Sequence, residues 1–339
     1  MPARHCGQDD RQLQSRGCWR NMRKAVFLAL AFGSFCGPLA RGVDMEWVTV
    51  GDPGNAADKT GYGAVAYEYQ IGKYEVTVEQ YAEFLNAVAA ADPFRLWEKG
   101  MEDPGLRIDH TVFLKRTGES GSYKYEVLPG QDQLPASFVS YFDAMRFANW
   151  MHNGKRTGDT EQGAYRLEQG KAAPAREADA RVWLPSEDEW YKAAYHEPQA
   201  KGGPEGGYWL YPTRSNEKPK LQVGTDADSN SARYFDEKLL WIKPQPNNRG
   251  PLIAVASCRN SKSPYGTFDQ GGGVWEWCDA VIFETKRVMR GGSVRYPHHA
   301  MLSTMRTNSS PDFRSHDTGF RLARRVPSAS AGGVAAGGK

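Results

Sequence analysis

Ser263-Pro-Tyr-Gly-Thr-Phe-Asp-Gln-Gly-Gly-Gly-Val-Trp-Glu-Trp-Cys278, followed a little later by Arg290-Gly-Gly-Ser293, is the most informative part of the chain. Glycine gathers where a backbone must turn tightly or pass close to another segment. Two tryptophans flank one glutamate, so two large rings and a carboxylate are fixed beside that turn. A run this rich in Gly and Trp is a poor long helix and a good folded loop leading into short strands.

Working outward, three helices announce themselves by their caps. Thr77 with Gln80, Ser140 with Asp143, and Ser186 with Glu189 each place a hydroxyl three residues before an amide or carboxylate, the pattern that satisfies free amides of a first helical turn. After Thr77, Tyr81, Phe84, Leu85 and Val88 recur at helical spacing. The second helix is expected over Tyr141–Asn153, with Met145, Ala148 and Met151 or His152 inward and Gly154 as its stop. Val43–Val50 and Ala64–Tyr74 read as short strands, and Gly118–Gly121 as the turn of a hairpin. Residues 155–180 look like a surface insertion. From Glu197 to Gly250 the chain reads as loop, with strand fragments at Tyr208–Tyr211 and Leu239–Ile242.

These blocks together resemble the formylglycine-generating enzyme, or sulfatase-modifying factor, family. Its signature reads Tyr-Gly-Leu-Tyr-Asp-Met-Gly-Gly-Asn-Val-Trp-Glu-Trp and then Arg-Gly-Gly-Ser-Trp. Tyr74-Glu-Val-Thr77, Val139–Trp150, Leu184–Ala194 and the closing Gly319-Phe-Arg-Leu-Ala323 are further matching blocks, with Val182-Trp183 where the family carries arginine. The resemblance implies an α+β fold, an elaborated C-type-lectin-like domain with little regular secondary structure. It covers residues 43–325, leaving a leader at 1–42 and an Ala/Gly/Ser-rich tail at 326–339 that is expected to be disordered.

The formal net charge of +3 comes from the leader. Residues 1–42 carry seven Lys/Arg against two Asp/Glu, and without them the balance is −2. Nothing here marks a nucleic-acid binder. Met22-Arg-Lys24, the apolar run Ala25–Phe35 and the small residues around Arg41 have the form of a secretory signal starting at Met22. That run is too short to span a membrane. The mature chain is therefore expected to be secreted or periplasmic, with a bacterial type of leader. Cys258 and Cys278 remain after processing, either as a disulfide or as two separate thiols.

The resemblance also locates the chemistry that family members perform. They oxidise a sulfatase cysteine to formylglycine with copper held by two cysteines, six and eleven residues beyond the arginine or lysine that opens the Gly-Gly-Ser block. Counting from Arg290 gives Tyr296 and Met301, so both thiolates are absent and copper chemistry is not expected. The family's iron enzymes that form carbon–sulfur bonds use a His-x-x-x-His motif; this chain has none, and iron is not expected either.

Other residues remain as candidates. His298, His299 and Met301 offer imidazole and thioether ligands, with His299 and Met301 on one side if the segment is a strand. Ser293, His299 and Arg306 are the candidate catalytic groups, and Trp275, Trp277, Tyr296 and Arg290 the candidate ligand-binding ones. By resemblance, calcium would be held by Asn230 and the Ser231 carbonyl, with Asp236 as an added carboxylate. A second family calcium site centres on an asparagine that is Gly273 here.

Two readings follow. In one the domain is a non-catalytic binding or scaffold module for an extracellular polypeptide or glycan. In the other it is a metal-dependent oxidoreductase or protein-modifying enzyme using His and Met in the same pocket. An enzyme requires Ser293, His299, Arg306 and Glu276 to converge on one cleft; a binding module does not.

Overall fold

The computed structural model describes residues 44–103, 111–221, 228–236 and 252–327. The leader, the Leu239–Ile242 fragment and the tail from residue 328 lie outside the described residues.

The three capping boxes form as the sequence predicts. Helix α1 (Val78–Val88), α2 (Tyr141–His152) and α3 (Glu187–Tyr195) start on Thr77, Ser140 and Ser186, each reciprocally bonded to its partner three residues on. In α3 the Ser186 N–H donates to Glu189 Oε2 at 2.6 Å, and the Glu189 N–H returns to Ser186 Oγ at 3.1 Å. Gly154, at φ +75°, ends α2 in the left-handed backbone that favours glycine.

Two small sheets surround these helices. The first orders β1 (Trp47–Val50), β2 (Tyr69–Gly72), β12 (Ala323–Arg324) and β5 (Val182–Trp183), antiparallel throughout. The second orders β10 (Thr307–Ser309), β9 (Lys286–Arg290), β8 (Trp275–Ile282) and β11 (Thr318–Gly319), with β11 parallel to β8. The predicted hairpin is β3 (Leu114–Thr117) against β4 (Lys124–Val127). β6 (Lys220–Leu221) and β7 (Ser231–Ala232) form a short parallel pair.

Gly319-Phe-Arg-Leu-Ala323 is not one closing strand. It leaves the second sheet as β11 and enters the first as β12, so residues 320–322 cross between them. Phe320 in that crossing packs edge-on against Phe147 of α2 at 5.3 Å, and Phe147 meets Phe84 of α1 at the same distance. Both helices and both sheets therefore share one aromatic core. Phe147 and Trp150 carry the inner face of α2 beside Met145 and Ala148, while Met151 and His152 are only half-buried.

The 155–180 segment is not purely a surface insertion. Thr160, Ala164, Tyr165 and Leu167 are buried, and Asn149 of α2 binds the segment through Thr160 O, Tyr165 O and Tyr165 N. One buried amide does what hydrophobic period does elsewhere, so the composition concealed it. Tyr208–Tyr211 likewise forms only isolated bridges, to His196 and Ser215, and not a strand. Cys258 and Cys278 are both buried free thiols.

Candidate functional site

The Gly271–Gly273 turn is made of glycine because another chain segment occupies the space beside it. Gly272 sits at φ +88°, and a Cβ there would lie 2.0 Å from the Arg233 carbonyl oxygen. The turn delivers Trp275, Glu276 and Trp277 onto β8. Glu276 and Trp277 are fully buried, and Trp275 nearly so.

Glu276 is the acceptor of a closed network. Arg321, in the crossing between sheets, donates to both of its oxygens at 2.5 and 2.8 Å, and Trp190 of α3 adds an indole N–H at 2.9 Å. The remaining Arg321 N–H groups reach Gly72 O and Phe268 O at 3.0 and 2.9 Å. The Trp277 indole N–H donates to Val139 O at 2.9 Å. Trp277 thus joins β8 to the entrance of α2 and presents no surface to a ligand.

Arg290 is equally enclosed. It bonds Glu187 of α3 at 2.8 Å and the Ser303 and Met305 carbonyls at 3.0 and 2.9 Å, with the rings of Tyr62 and Tyr191 against its guanidinium. Arg306 pairs with the other Glu187 oxygen at 2.9 Å and with the Tyr62 hydroxyl. All three arginines pair with carboxylates, and Arg290 and Arg321 also bond loop carbonyls, the work of scaffold groups. The buried Arg306 Nε, by contrast, has no hydrogen-bond partner among the described residues.

Ser293 has no histidine partner. It is buried and donates to Asp317 Oδ2 at 2.7 Å, while Asp317 Oδ1 accepts from Ser315 Oγ at 2.5 Å. Pro297 ends the extended backbone, and His298–Met301 is a single 3-10 turn, so His299 and Met301 do not share a strand face. Met301 is buried with Tyr211, Ala232 and Tyr234, and His298 Nδ1 is 2.9 Å from the Tyr211 hydroxyl. His299 is exposed. No three His, Cys, Asp or Glu side chains group around a metal position among the described residues. Ser293, His299, Arg306 and Glu276 point into separate environments.

One pocket does open here. About 220 Å³ lies between Trp275, Tyr296 and Phe313, edged by Asn308, Arg295 and Asp317. Trp275 and Tyr296 meet edge-on at 5.4 Å. Tyr296 is 47% and Phe313 41% exposed, so two rings stand at the rim over a buried third. Phe313 and Asp317 were missed in the sequence. Ser315-His-Asp317 directly before the Gly319-Phe-Arg block was the available signal for Asp317; the exposure of Phe313 left none.

In the loop that resemblance ties to calcium, the Asn230 side chain is hydrogen-bonded within the protein. Asn230 Oδ1 accepts from Thr213 Oγ1 at 2.6 Å, and its amide nitrogen donates to Ser215 Oγ and Glu217 O. Asp236 lies 3.7 Å from the Lys218 ammonium. The neighbourhood of Gly273 fits a cation better. A Cβ there would come 3.2 Å from Glu75 Oε1, so the Glu75 carboxylate fills the space left by the absent asparagine side chain. Glu75 is buried, and its Oε2 has no hydrogen-bond partner, lying 3.7 Å from Arg321 Nη2. Asp269, held at φ +58°, adds a further carboxylate that accepts from the Ala256 N–H at 2.5 Å. Burial pushes the Asp269 carboxyl up to about 6 and Glu75 well above its usual range.

The sequence model of the sulfatase-modifying factor enzyme 1-like domain matches residues 50–326. The chain belongs to that family. Among solved structures, that of CarF aligns with a TM-score of 0.52 at 18% identity, over 84% of this chain and 99% of that one. Treponema denticola variable protein 1 aligns at 0.49 and 20% identity, over 84% and 96%, and PvdO from Pseudomonas aeruginosa at 0.44 and 19%, over 83% and 92%. At these identities the likeness concerns the fold, which is the expected α+β arrangement of the sulfatase-modifying factor domain. No curated protein matches the chain. No helix among the described residues is long and apolar enough to cross a membrane.

Proposed function

We propose that this sulfatase-modifying factor domain is a secreted, non-catalytic binding module that takes an extracellular polypeptide or glycan in the pocket of Trp275, Tyr296 and Phe313. One observation carries the reading: the polar groups an enzyme would have to bring together do not converge, three being committed to separate structural partners and the fourth, His299, exposed. Ser293 is spent on Asp317, Arg306 on Glu187 and Glu276 on Arg321. The positions of the copper thiolates hold an exposed phenol and a buried thioether. What the pocket retains is aromatic surface edged by hydroxyl, amide and charged groups, the composition of a recognition site.

Calcium, on this reading, is held by Glu75 and Asp269. It would supply positive charge to the two carboxylates that Arg321 does not saturate, tying the start of α1 to the glycine turn.

Two measurements test the proposal. The mature chain, loaded with copper and given a cysteine-containing sulfatase peptide, should leave the thiol unconverted by mass spectrometry; aldehyde formation above the protein-free control would sink the non-catalytic reading. On peptide and glycan arrays, Tyr296→Ala and Phe313→Ala should each abolish the wild-type hits. Hits that survive both substitutions would place recognition elsewhere on the domain.

A further inference from the structure

We propose that a cleft at the start of α2 is a separate binding site for a small organic oxyanion, a carboxylate or sulfate carried on a sugar-sized ring. This cleft of about 710 Å³ lies between the first turns of α2, the segment 167–173, the turn between β8 and β9, and the loop 310–314. It shares no lining residue with the pocket under Trp275.

Its floor is guanidinium. Glu161 grips Arg146 through Nε and Nη2 at 2.7 and 3.0 Å, and Asp143 grips Arg314 through the corresponding atoms at 2.8 and 2.9 Å. Arg287 donates Nη2 to Ala173 O at 2.7 Å with Asp279 3.5 Å from its Nη1. Carboxylates fix one edge of Arg146 and of Arg314, leaving Nη1 of Arg314 without a hydrogen-bond acceptor among the described residues and Nη1 of Arg146 facing only Asp143 Oδ1 at 3.9 Å. Preoriented guanidinium edges of this kind match the geometry of oxyanions.

Arg95 and Lys171 stand at the rim, exposed and without an ion-pair partner among the described residues. Arg95 is held at φ +56°, a strained conformation for a large side chain, and its carbonyl is fixed by Arg314 Nη2 at 3.2 Å. Four carboxylates also line the cleft. Asp143 is saturated by Arg314 and the Ser140 N–H, whereas Glu168, Glu284 and Asp312 are exposed and can turn outward. Each floor guanidinium is fixed against a carboxylate, and the charges free to turn stand at the rim, Arg95 and Lys171 beside Glu168, Glu284 and Asp312. Phe94, Phe142 and Leu167 give the walls apolar area for a ring.

The test is calorimetric titration of the full mature chain with glucuronate, glucose 6-sulfate and neutral glucose at low salt. At least one of the two anions should bind saturably and weaken as salt rises, and glucose should not bind. Arg95→Asn keeps a residue that tolerates left-handed backbone. That variant and Lys171→Ala should each weaken binding about fivefold, with Tyr296→Ala unchanged. No saturable binding of either anion, equal binding of glucose, or wild-type affinity in both rim variants would overturn the proposal.

Discussion

Around Arg321 every nitrogen of a fully buried guanidinium has a partner; around Tyr296, a short way along the same signature, the rings face solvent. The first region holds the sheets together, since Arg321 sits in the crossing between them and Glu276 and Trp190 reach it from β8 and α3. The second adds little to folding and offers most of the accessible aromatic surface of its pocket. The comparison teaches that one family signature builds both a buried scaffold network and an exposed aromatic rim.

The sharpest way to break that contrast is to remove the buried cation. Arg321→Met leaves Glu276 buried without its ion partner and strips the charge that offsets Glu75 and Asp269. Deleting one member of such a pair costs about 3–5 kcal/mol. Urea denaturation should show a loss of that size. The double variant Arg321→Met with Glu276→Met should recover much of it, because replacing both partners removes the unpaired charge. A loss under about 1 kcal/mol in the single variant would mean the network holds nothing together.

A smaller effect separates the two carboxylates beside the network from the network itself. The native Asp269 carboxyl titrates at about 6, raised by burial, against about 4 in an unfolded chain. The folded state then binds the proton more tightly, so this group favours folding below about pH 4. That contribution is lost as pH rises towards 6 and is constant above it. Asp269→Asn, which can still accept from the Ala256 N–H, should flatten this slope and stabilise the protein at pH 7.5 by about 1–2 kcal/mol. Calcium should flatten it in the wild type alone. A wild-type stability that climbs between pH 4 and 6 without calcium would contradict the burial argument for Asp269 and Glu75.

The scaffold half was legible because its signals are local. Thr77, Ser140 and Ser186 each meet their cap partner three residues away, and the family blocks fall on α1, α2, α3 and β8. What escaped reading depends on long-range partners. Glu187 binding both Arg290 and Arg306, Asn149 anchoring Tyr165, and Asp317 accepting the Ser293 hydroxyl each join residues well separated in the chain. The missing arginine at 182–183 has the same kind of answer. Arg176 stacks on the Trp183 ring at 4.5 Å and pairs with Glu189 at 3.2 Å, bringing a guanidinium to α3 from the neighbouring segment. Of the two candidate ligand-binding rings Tyr296 and Trp277, the first is exposed and the second fully buried. Both are large rings in the signature, and only the Val139 carbonyl and the ring of Tyr141 distinguish the buried one.

The smallest expected change in stability is the most informative about the rim. Tyr296 and Phe313 are each nearly half exposed, and neither side chain carries a hydrogen bond that holds two elements together among the described residues. Truncating them removes apolar area that is already largely in water, so Tyr296→Ala and Phe313→Ala should each cost under about 1 kcal/mol. Trp277→Ala, two strand positions from Trp275, empties a buried site and should cost about 3–5 kcal/mol by the same denaturation measurement. On the proposed reading, these rings serve contacts outside the chain. If Tyr296→Ala proved as costly as Trp277→Ala, the rim would belong to the scaffold and the contrast between the two regions would dissolve.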